Sequence, residues 1–257
     1  LSDRMVRMCH ATCRSALEKA VQDGLIRVNP AIGCKLPPKK AREMQVLTRE
    51  ELQRFLIQAK FEGYYEVFLL DLATGLRRGE ICALRWKDFD TEQEMLHVRR
   101  TLHKEKGKPL TTGDTKTYAG TRKIVLPPST AQLLRERKKT APTEWIFPNP
   151  FDPEQPIAPG TAYNRLKALL KETGLPDIRF HDLRHTFATH ALSSGVDAKT
   201  LAGILGHTKA SFTLDTYTHV TSDMQKQACG IVGGFMEDIF GKELKPWQEN
   251  EKPETEP

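Results

Sequence analysis

Apolar side chains recur at helical spacing near the start of the chain. Between residues 3 and 22 they lie three or four positions apart, on one face of a predicted helix. This face is formed by Val6, Cys9, Cys13, Ala16, Leu17 and Ala20. Asp23-Gly24 predicts the end of the helix. Because a single helix cannot bury its own apolar face, residues 1–34 are expected to be the end of a larger helical domain, cut short at its N-terminal side.

A second unit is predicted to begin after a basic linker. Residues 35–47 contain two consecutive prolines followed by two lysines and an arginine, a composition typical of an interdomain linker. Thr48-Arg-Glu-Glu51 then matches a capping box, in which a hydroxyl and a carboxylate satisfy free amides of the first helical turn. Helices are predicted at about 48–60, at about 64–74 with Gly75 as the break, and at about 78–85.

The pattern changes between residues 94 and 126. Residues 95–98 and 122–126 are predicted strands around a segment rich in Gly, Lys and Thr. From residue 129 onward the helical pattern returns, interrupted by prolines between 142 and 159, with later helices predicted up to Ser194 and over 222–240. The sequence therefore predicts a mainly α protein with a small antiparallel β-sheet, of the α+β class.

The balance of charges favours a polyanionic partner. The chain carries 39 Lys and Arg against 33 Asp and Glu, a net charge of +6. Residues 241–257 hold three Lys and five Glu, so this acidic, flexible tail contributes −2 and residues 1–240 carry +8. A basic body favours nucleic acid over a membrane, and no apolar run approaches the roughly 18 residues that a membrane span needs. Charge alone leaves open a basic soluble protein without such a partner.

The five cysteines are scattered and form no CxxC pair. Neither a disulfide framework nor a cysteine-rich zinc site is expected, and a cytoplasmic location is favoured. The chain begins Leu-Ser-Asp-Arg, which is neither a signal peptide nor an initiator methionine, so it is expected to be a fragment whose native N-terminus lies upstream.

The most informative stretch places three imidazoles, a guanidinium and a phenol close together in sequence. His181-Asp-Leu-Arg184-His185 is followed by Leu-Gly-His207 and then by Tyr217. A phenol, with a free pKa of about 10, is a useful nucleophile only where neighbours activate it. Imidazole moves protons, and the planar fork of arginine fits phosphate. These residue types together suggest attack by a tyrosine on a phosphodiester that an arginine holds.

A zinc site is the alternative for the same stretch. His181 and His185 have the spacing of the HExxH zinc-protease motif, and with Arg184 they share one helix face. Asp182 stands where that motif has Glu, one methylene short for a general base, and no third ligand is evident. Zinc is therefore not favoured, and no metal is expected.

Thr74-Gly-Leu-Arg77-Arg78-Gly-Glu80 places two arginines at the start of a predicted helix, where backbone amides favour an anion. Arg77 is positioned to hold a phosphate, and Glu80, three residues later on the same side, to orient it. A surface salt bridge between Arg77 and Glu80, worth little, is the alternative, and for this motif alone it is favoured.

The segment around the predicted strands is the most basic part of the chain. Eight Lys or Arg stand against Glu105 and Asp114, a local charge of +6 that suits phosphate contact in a hairpin, although a solvated edge strand is the alternative for most of them. Lys116 differs, because it lies just before the return strand, where a hairpin delivers one amine to a defined point. The eight are Arg99, Arg100, Lys104, Lys106, Lys108, Lys116, Arg122 and Lys123.

In this order the motifs resemble those of the tyrosine recombinases, or phage integrases, and in particular integrases of conjugative transposons and related mobile elements. The resemblance covers about residues 45–240. It rests on Thr-Gly-Leu-Arg-Arg-Gly-Glu, a Lys-Thr in a hairpin, His-x-x-Arg-His-Thr-Phe-Ala-Thr, Leu-Gly-His and Tyr-Thr-His-Val. It implies a tyrosine recombinase catalytic domain over 48–240, preceded by a remnant of a helical core-binding domain over 1–34.

The resemblance also implies roles for individual residues. Arg77 and Arg184 would grip the scissile phosphate, and Tyr217 would attack it to give a 3′-phosphotyrosine. Ten positions separate His207 from Tyr217, one more than is usual in the family. The remaining implied roles are general acid for Lys116, general base for His181, phosphate hydrogen bonding for His207 and support for Glu80. Neither ATP nor a metal or other cofactor is implied.

The implied partner is double-stranded DNA, bound by a homotetramer whose C-terminal segments are exchanged, with a possible accessory excision factor. Residues expected to contact DNA are Arg78, Arg99, Arg100, Lys104, Arg122 and Lys123. With only one core-binding helix present, weak DNA affinity is expected. Two alternatives stay open: a type IB topoisomerase, which relaxes supercoils with the same chemistry, and a non-catalytic DNA-binding derivative.

Overall fold

A computed structural model of the chain describes residues 1–38, 44–104, 107–114, 120–207, 213 and 229–230. The chain forms two compact units, Leu1–Met44 and Gln45–Pro257. The predicted helix 222–240 and the acidic tail lie outside the described residues, apart from the helical positions Cys229 and Gly230.

The first unit is one helix with a segment that returns along it. Helix α1 (Asp3–Gln22) begins at Ser2, whose hydroxyl accepts a hydrogen bond from the Met5 amide at 3.3 Å. Asn29 is buried after the turn, and its side-chain amide donates to the Arg14 carbonyl at 3.0 Å. None of the residues of α1 is itself buried, so the helix predicted over 3–22 is confirmed with its apolar face uncovered within this unit.

The second unit begins with the predicted capping box. The Thr48 hydroxyl accepts from the Glu51 amide at 3.2 Å, and the Glu51 carboxylate accepts from the Thr48 amide at 2.8 Å. Helix α2 (Arg49–Phe61) follows and packs against α3 (Tyr65–Thr74). The α3 helix ends at Gly75, which has the left-handed φ of +60° that favours glycine. Both predicted helices and the predicted break are confirmed.

Helix α4 (Arg78–Cys82) is shorter than the predicted 78–85. After Cys82 the chain leaves the helix to pair with a distant segment, where the Ile146 amide donates to the Leu84 carbonyl at 3.1 Å and the Trp86 amide to the Glu144 carbonyl at 2.9 Å. A short 3₁₀ turn, Trp86–Asp88, then leads into the sheet. Local sequence does not encode this long-range pairing, so the predicted end was wrong.

The described strands form three small antiparallel sheets. Strands β1 (Phe89–Asp90), β2 (Met95–Val98) and β5 (Arg122–Val125) form one, in which buried Leu96 faces buried Ile124. The two strands predicted at 95–98 and 122–126 are thus confirmed as partners. Between β2 and β5 along the chain, β3 (Arg100–His103) and β4 (Thr111–Asp114) form an antiparallel hairpin. Strands β6 (Pro148–Asn149) and β7 (Asp152–Pro156) lie in the proline-containing stretch that we predicted only as an interruption of helices.

The remaining helices complete one hydrophobic core. The ring of Phe68 on α3 contacts that of Phe55 on α2, with centroids 5.1 Å apart, and that of Phe180 at the start of α7 (Phe180–Ser193), with centroids 6.3 Å apart. This core fixes the start of α7 beside the end of α3. The helices are α5 (Pro128–Lys139), α6 (Pro159–Glu172), α7 (Phe180–Ser193) and α8 (Ala198–Leu205). Among the described residues, no helix is both long and apolar enough to cross a membrane.

Candidate active site

The start of α7 carries two of the predicted site residues, His181 and Arg184. Phe180 and Leu183 are buried and fix the helix in the core, while His181 is exposed and Arg184 is buried, only 1% of its surface remaining accessible. The Asp182 carboxylate accepts from the Arg179 amide at 2.8 Å and caps the helix. Asp182 therefore has a structural role at the position where a zinc-protease motif would place its base. Within the described residues, no group of three or more His, Cys, Asp or Glu could hold a metal ion.

Arg184 joins three helices. Its Nη1 donates to the carbonyl of Gly75, at the end of α3, at 2.8 Å. Its Nη2 donates to the carbonyl of Leu205, the last residue of α8, at 2.6 Å. Carbonyls at helix C-termini carry partial negative charge and have no partner within the helix, so they suit a buried guanidinium. These bonds fix the guanidinium in one orientation.

Arg77 precedes α4 and lies on the side of α8 that Arg184 also contacts. Its Nη2 donates to the Gly206 carbonyl at 3.3 Å, one residue after the carbonyl that Arg184 uses. Its Nη1 donates to Glu80 Oε1 at 2.7 Å, and 42% of the Arg77 side chain remains exposed. The two arginines thus converge on the end of α8 from different helices, one buried and one partly open to solvent.

Glu80 is a buried bridge between two arginines. The ion pair with Arg77 that we considered is present, but the Glu80 side chain is only 3% exposed, so its placement at the surface was wrong. Its other oxygen, Oε2, accepts from Arg122 Nη2 at 2.8 Å. Burial raises the pKa of Glu80, but the hydrogen bond and charge of Arg122 and the contacts with Arg77 outweigh burial and lower the pKa below its usual range. Glu80 therefore stays ionised and orients Arg77.

His207 follows the α8 helix directly. The helix ends at Gly206 with a left-handed φ of +66°, and this turn places His207 beside the two arginines. Nδ1 of His207 lies 2.7 Å from Oγ1 of buried Thr213, a contact that orients the ring. Desolvation, together with the charges of Arg184 and Arg77, lowers the pKa of His207 to about 4. At neutral pH the imidazole is therefore uncharged.

His181 belongs to the same electrostatic group. Although the residue is exposed, protein atoms crowd its ring, and this desolvation, followed by the charges of His185 and Arg184, lowers the pKa of His181 to about 4. The rings of His181 and His185 meet edge to face at 4.6 Å. A neutral imidazole has a lone pair that can take a proton, as a general base requires.

An open cleft of about 1030 Å³ gives access to this group. Arg77 and His181 line it, so residues from two separate motifs face one space. Its rim is formed by the β3–β4 hairpin, including Lys104, and by the start of α6, including Thr161 and Asn164. The dimensions and the basic lining suit an extended anionic ligand rather than a small apolar one.

The residues expected to contact DNA fall into two classes. Arg78 and Lys104 line the cleft and are exposed, and Arg99 and Lys123 are exposed on the sheet segment. Arg100 instead forms an ion pair with buried Asp88, and Arg122 donates through Nε to the Ile204 carbonyl at 2.6 Å besides contacting Glu80. Direct DNA contact by these six residues stays a prediction. The hydrogen bond from Arg122 to Glu80, which supports the candidate site, was not predicted from the sequence.

Two predicted residues, Lys116 and Tyr217, lie outside the described residues. Sequence reasoning also missed the backbone carbonyls of Gly75, Leu205 and Gly206 as arginine acceptors, and Thr213 as the partner of His207. A glycine after a helical pattern indicates the helix ends at Gly75 and Gly206. Nothing in the sequence indicates that Thr213, six residues after His207, contacts its ring.

The match to a known protein family begins where the second unit begins, at Gln45. The model of the phage integrase family matches residues 45–224. A "Tyrosine recombinase XerC-like" protein of Caldanaerobacter subterraneus subsp. tengcongensis is 28% identical over 88% of this chain and 65% of its own length. The integrase of Mycobacterium phage L5 is 33% identical over 79% of this chain and 55% of its own length. The chain thus spans between 55% and 65% of the length of these curated relatives.

Solved structures share the fold. The Tn1549 transposon integrase in complex with transposon right end DNA superposes with a TM-score of 0.78, over 90% of this chain and 80% of that one, at 24% identity. A lambda integrase dimer bound to a COC′ core site gives a TM-score of 0.59 at 21% identity, over 82% of this chain and 59% of that one. The predicted α+β catalytic-domain fold is confirmed.

Proposed function

Since the chain belongs to the phage integrase family of tyrosine recombinases, we propose that it contains the catalytic part of a site-specific DNA recombinase. It would cut and rejoin DNA strands through a 3′-phosphotyrosyl intermediate during integration or excision of a mobile element. The single observation that carries this proposal is that distant parts of the chain bring Arg77, Arg184 and His207 together at the end of α8, beside a cleft that Arg77 and His181 line.

The two arginines supply the electrostatic part of the chemistry. A phosphodiester gains negative charge in the transition state of transesterification, and preorganised cations lower that barrier most. Arg184 is fixed by two helix-end carbonyls and Arg77 by Glu80, so neither needs to reorganise when the phosphate arrives. Arg77 is partly exposed at the cleft, where a phosphate can reach it.

The two histidines supply proton transfer and hydrogen bonding. With a pKa of about 4 in the chain without DNA, His181 is neutral at pH 7 and can accept the proton of the attacking phenol. His207 would donate a hydrogen bond to a phosphate oxygen. Tyr217 would be the nucleophile and Lys116 the general acid that protonates the leaving 5′-oxygen. Because the phosphotyrosine retains the energy of the phosphodiester, rejoining would need neither ATP nor a metal.

The assembly belongs to the same proposal. The Tn1549 integrase was solved on its transposon end DNA, and lambda integrase as a tetramer on a Holliday junction. For this protein we propose double-stranded DNA as ligand, a homotetramer with exchanged C-terminal segments, and an accessory factor that biases excision. Residues 1–34 would complete a core-binding domain, 35–47 would link it to the catalytic domain over 48–240, and 241–257 would be a flexible tail. The protein would act in the cytoplasm, on the nucleoid.

The test is covalent capture on a nicked suicide duplex, taken from an end of the element that encodes the protein. The full-length protein should give a denaturant-resistant protein–DNA adduct. Tyr217→Phe should abolish the adduct and keep DNA binding, because only the attacking oxygen is lost. Tyr163→Phe is the matched control: this ring lies beside Arg78, 5.6 Å from its guanidinium carbon, and losing its hydroxyl should leave the adduct yield unchanged.

Other outcomes separate the alternatives. Tight binding without an adduct would favour a non-catalytic DNA-binding protein. Relaxation of supercoiled plasmid without a defined site would favour a type IB topoisomerase.

A further inference from the structure

Asp71 is a buried acid for which the proposed chemistry has no role. It lies in the middle of α3 and is 0% exposed. Neither of its carboxylate oxygens has a hydrogen-bond partner in the part of the chain that the structure describes. A buried carboxylate without donors is among the costliest groups in a protein interior, and its usual response is to stay protonated.

The charged groups that act on Asp71 belong to the candidate active site. Arg184, from α7, favours its ionised form, and Glu80, from α4, opposes it. Burial is the largest influence and raises the pKa of Asp71 well above its usual range. Buried Cys82, also on α4, is the other titratable neighbour: burial and then the charge of Asp71 raise the pKa of its thiol to about 12.

Two hydrogen bonds through Gly75 also connect the backbone of Asp71 to Arg184. The backbone carbonyl of Asp71 accepts from the Gly75 amide at 2.7 Å, closing the last turn of α3. The carbonyl of the same glycine accepts from Arg184 Nη1 at 2.8 Å. Asp71 therefore belongs to the last turn of the helix whose end holds the guanidinium, and its charge acts on Arg184.

We propose that Asp71 is a positioning residue that controls how much of the Arg184 charge is available to the scissile phosphate. When Asp71 is protonated, the full charge of the guanidinium acts on the DNA phosphate. When Asp71 is ionised, its negative charge offsets part of the Arg184 charge. This role rests on the proposed function of Arg184 as a phosphate ligand.

A proton linkage follows. A bound phosphate adds negative charge beside Arg184 and so disfavours the ionised form of Asp71. By reciprocity, ionisation of Asp71 weakens phosphate binding. DNA affinity should therefore be constant while Asp71 is protonated and fall, by up to tenfold per pH unit, as the pH rises through its ionisation.

Asp71→Asn tests this directly, because the amide keeps the shape and cannot ionise. The dissociation constant of the nicked suicide duplex would be measured by fluorescence anisotropy between pH 6 and pH 9.5 at constant ionic strength. Wild type should lose affinity more steeply than Asp71→Asn toward alkaline pH, and the two should bind within about threefold of each other at pH 6. Cys82→Ser, which removes the neighbouring thiol, should keep the wild-type profile. Parallel profiles for wild type and Asp71→Asn would overturn the proposal.

A second measurement needs no variant. In wild-type protein labelled with ¹³C at the aspartate carboxyl carbon, one resonance should keep its protonated position at pH 7, when every other aspartate has ionised. Ionisation of all aspartates by pH 6 would overturn the proposal whatever the binding data show. If wild type neither binds the duplex nor forms the adduct, the proposed function fails together with this role. If wild type binds and reacts but Asp71→Asn has the same pH profile, the role of Asp71 fails alone.

Discussion

At the scale of single residues, the site depends on buried charges that come from distant positions. Glu80 is 3% exposed and Arg122, 42 residues later, is 7% exposed, and their side chains lie 2.8 Å apart. Removing one partner of such a pair leaves the other charge buried without compensation, which costs more than the pair contributes. Glu80 is therefore a residue on which both the stability of the domain and the position of Arg77 depend.

We expect Glu80→Gln to lower the free energy of unfolding by about 3 kcal/mol at pH 7, since it leaves Arg122 without its counter-charge. The pKa of Glu80 is lower in the folded protein than in the unfolded chain. Its stabilising contribution is therefore present above the unfolded value near 4.5 and is lost as the pH falls through the folded value. Urea unfolding followed by circular dichroism should show the advantage of wild type shrinking below about pH 4.5.

Glu136→Gln is the matched control, because Glu136 is 60% exposed and pairs with Lys139 at the surface. This change should alter stability by no more than about 0.5 kcal/mol. Equal stability of wild type and Glu80→Gln at pH 7 would contradict the role given to the buried bridge.

At the scale of secondary-structure elements, helix ends provide the frame for the arginines. Helices α3 and α8 both end at a glycine of left-handed φ, +60° at Gly75 and +66° at Gly206. The carbonyl of Gly75 receives Arg184 and that of Gly206 receives Arg77. The conformational freedom of these glycines therefore sets the direction in which the acceptors point.

Gly75→Ala should be strongly destabilising for two separable reasons. An alanine pays about 1 kcal/mol or more for the left-handed conformation. Its Cβ would also lie 2.4 Å from Cδ1 of Phe187 and 2.8 Å from Cδ2 of Leu205, so both side chains must shift. We expect a total loss of about 3 kcal/mol or more in the free energy of unfolding, and a loss of adduct formation because Arg184 is held by the Gly75 and Leu205 carbonyls at this contact.

Gly174→Ala separates the two causes. Gly174 follows α6 with nearly the same φ, +62°, and nothing lies within 4 Å of an added Cβ. This variant should lose only the conformational part, about 1 kcal/mol, and keep its activity. If both alanine variants lost the same stability, close packing at Gly75 would not be the reason for its glycine.

The sequence predicted those structural features that neighbouring residues determine. The capping box at Thr48, the break at Gly75 and the strand pair of β2 and β5 were all predicted from spacing and turn residues. The end of α4 was not, because it depends on pairing with residues around Ile146. Strands β6 and β7 were missed because prolines and acidic residues at their positions indicate loops rather than strands.

The site followed the same division. Motif order identified Arg77, His181, Arg184 and His207, which the fold brings together. The burial of Glu80 could not be predicted from its spacing to Arg77, because its second partner, Arg122, lies on strand β5. Nor could the sequence show that an isolated acid such as Asp71 lies behind Arg184.

At the scale of the whole molecule, the basic residues behind the net charge of +6 do not all have the same role. Arg100 and Arg122 form ion pairs with buried Asp88 and Glu80, whereas Lys104 is exposed at the cleft. Only cations that meet phosphates release counterions on binding, so composition overstates the number of DNA contacts.

We expect Lys104→Ala to lower the slope of log affinity against log salt by about 0.9, the value for one phosphate contact. Lys139→Ala, which removes an equally long cation that is 68% exposed on α5, should leave the slope unchanged. Anisotropy titrations of the same duplex between roughly 50 and 300 mM NaCl would measure the slopes of both variants. An unchanged slope in Lys104→Ala would remove this lysine from the DNA contacts.

The most direct test of the central claim is to find which residue carries the nucleotide in the covalent adduct. The trapped complex would be digested with nuclease and trypsin and analysed by tandem mass spectrometry. The proposed chemistry predicts a nucleotide on the tryptic peptide of residues 210–226, at Tyr217. A nucleotide on any other residue, or a protein that holds the duplex and acquires none, would contradict it.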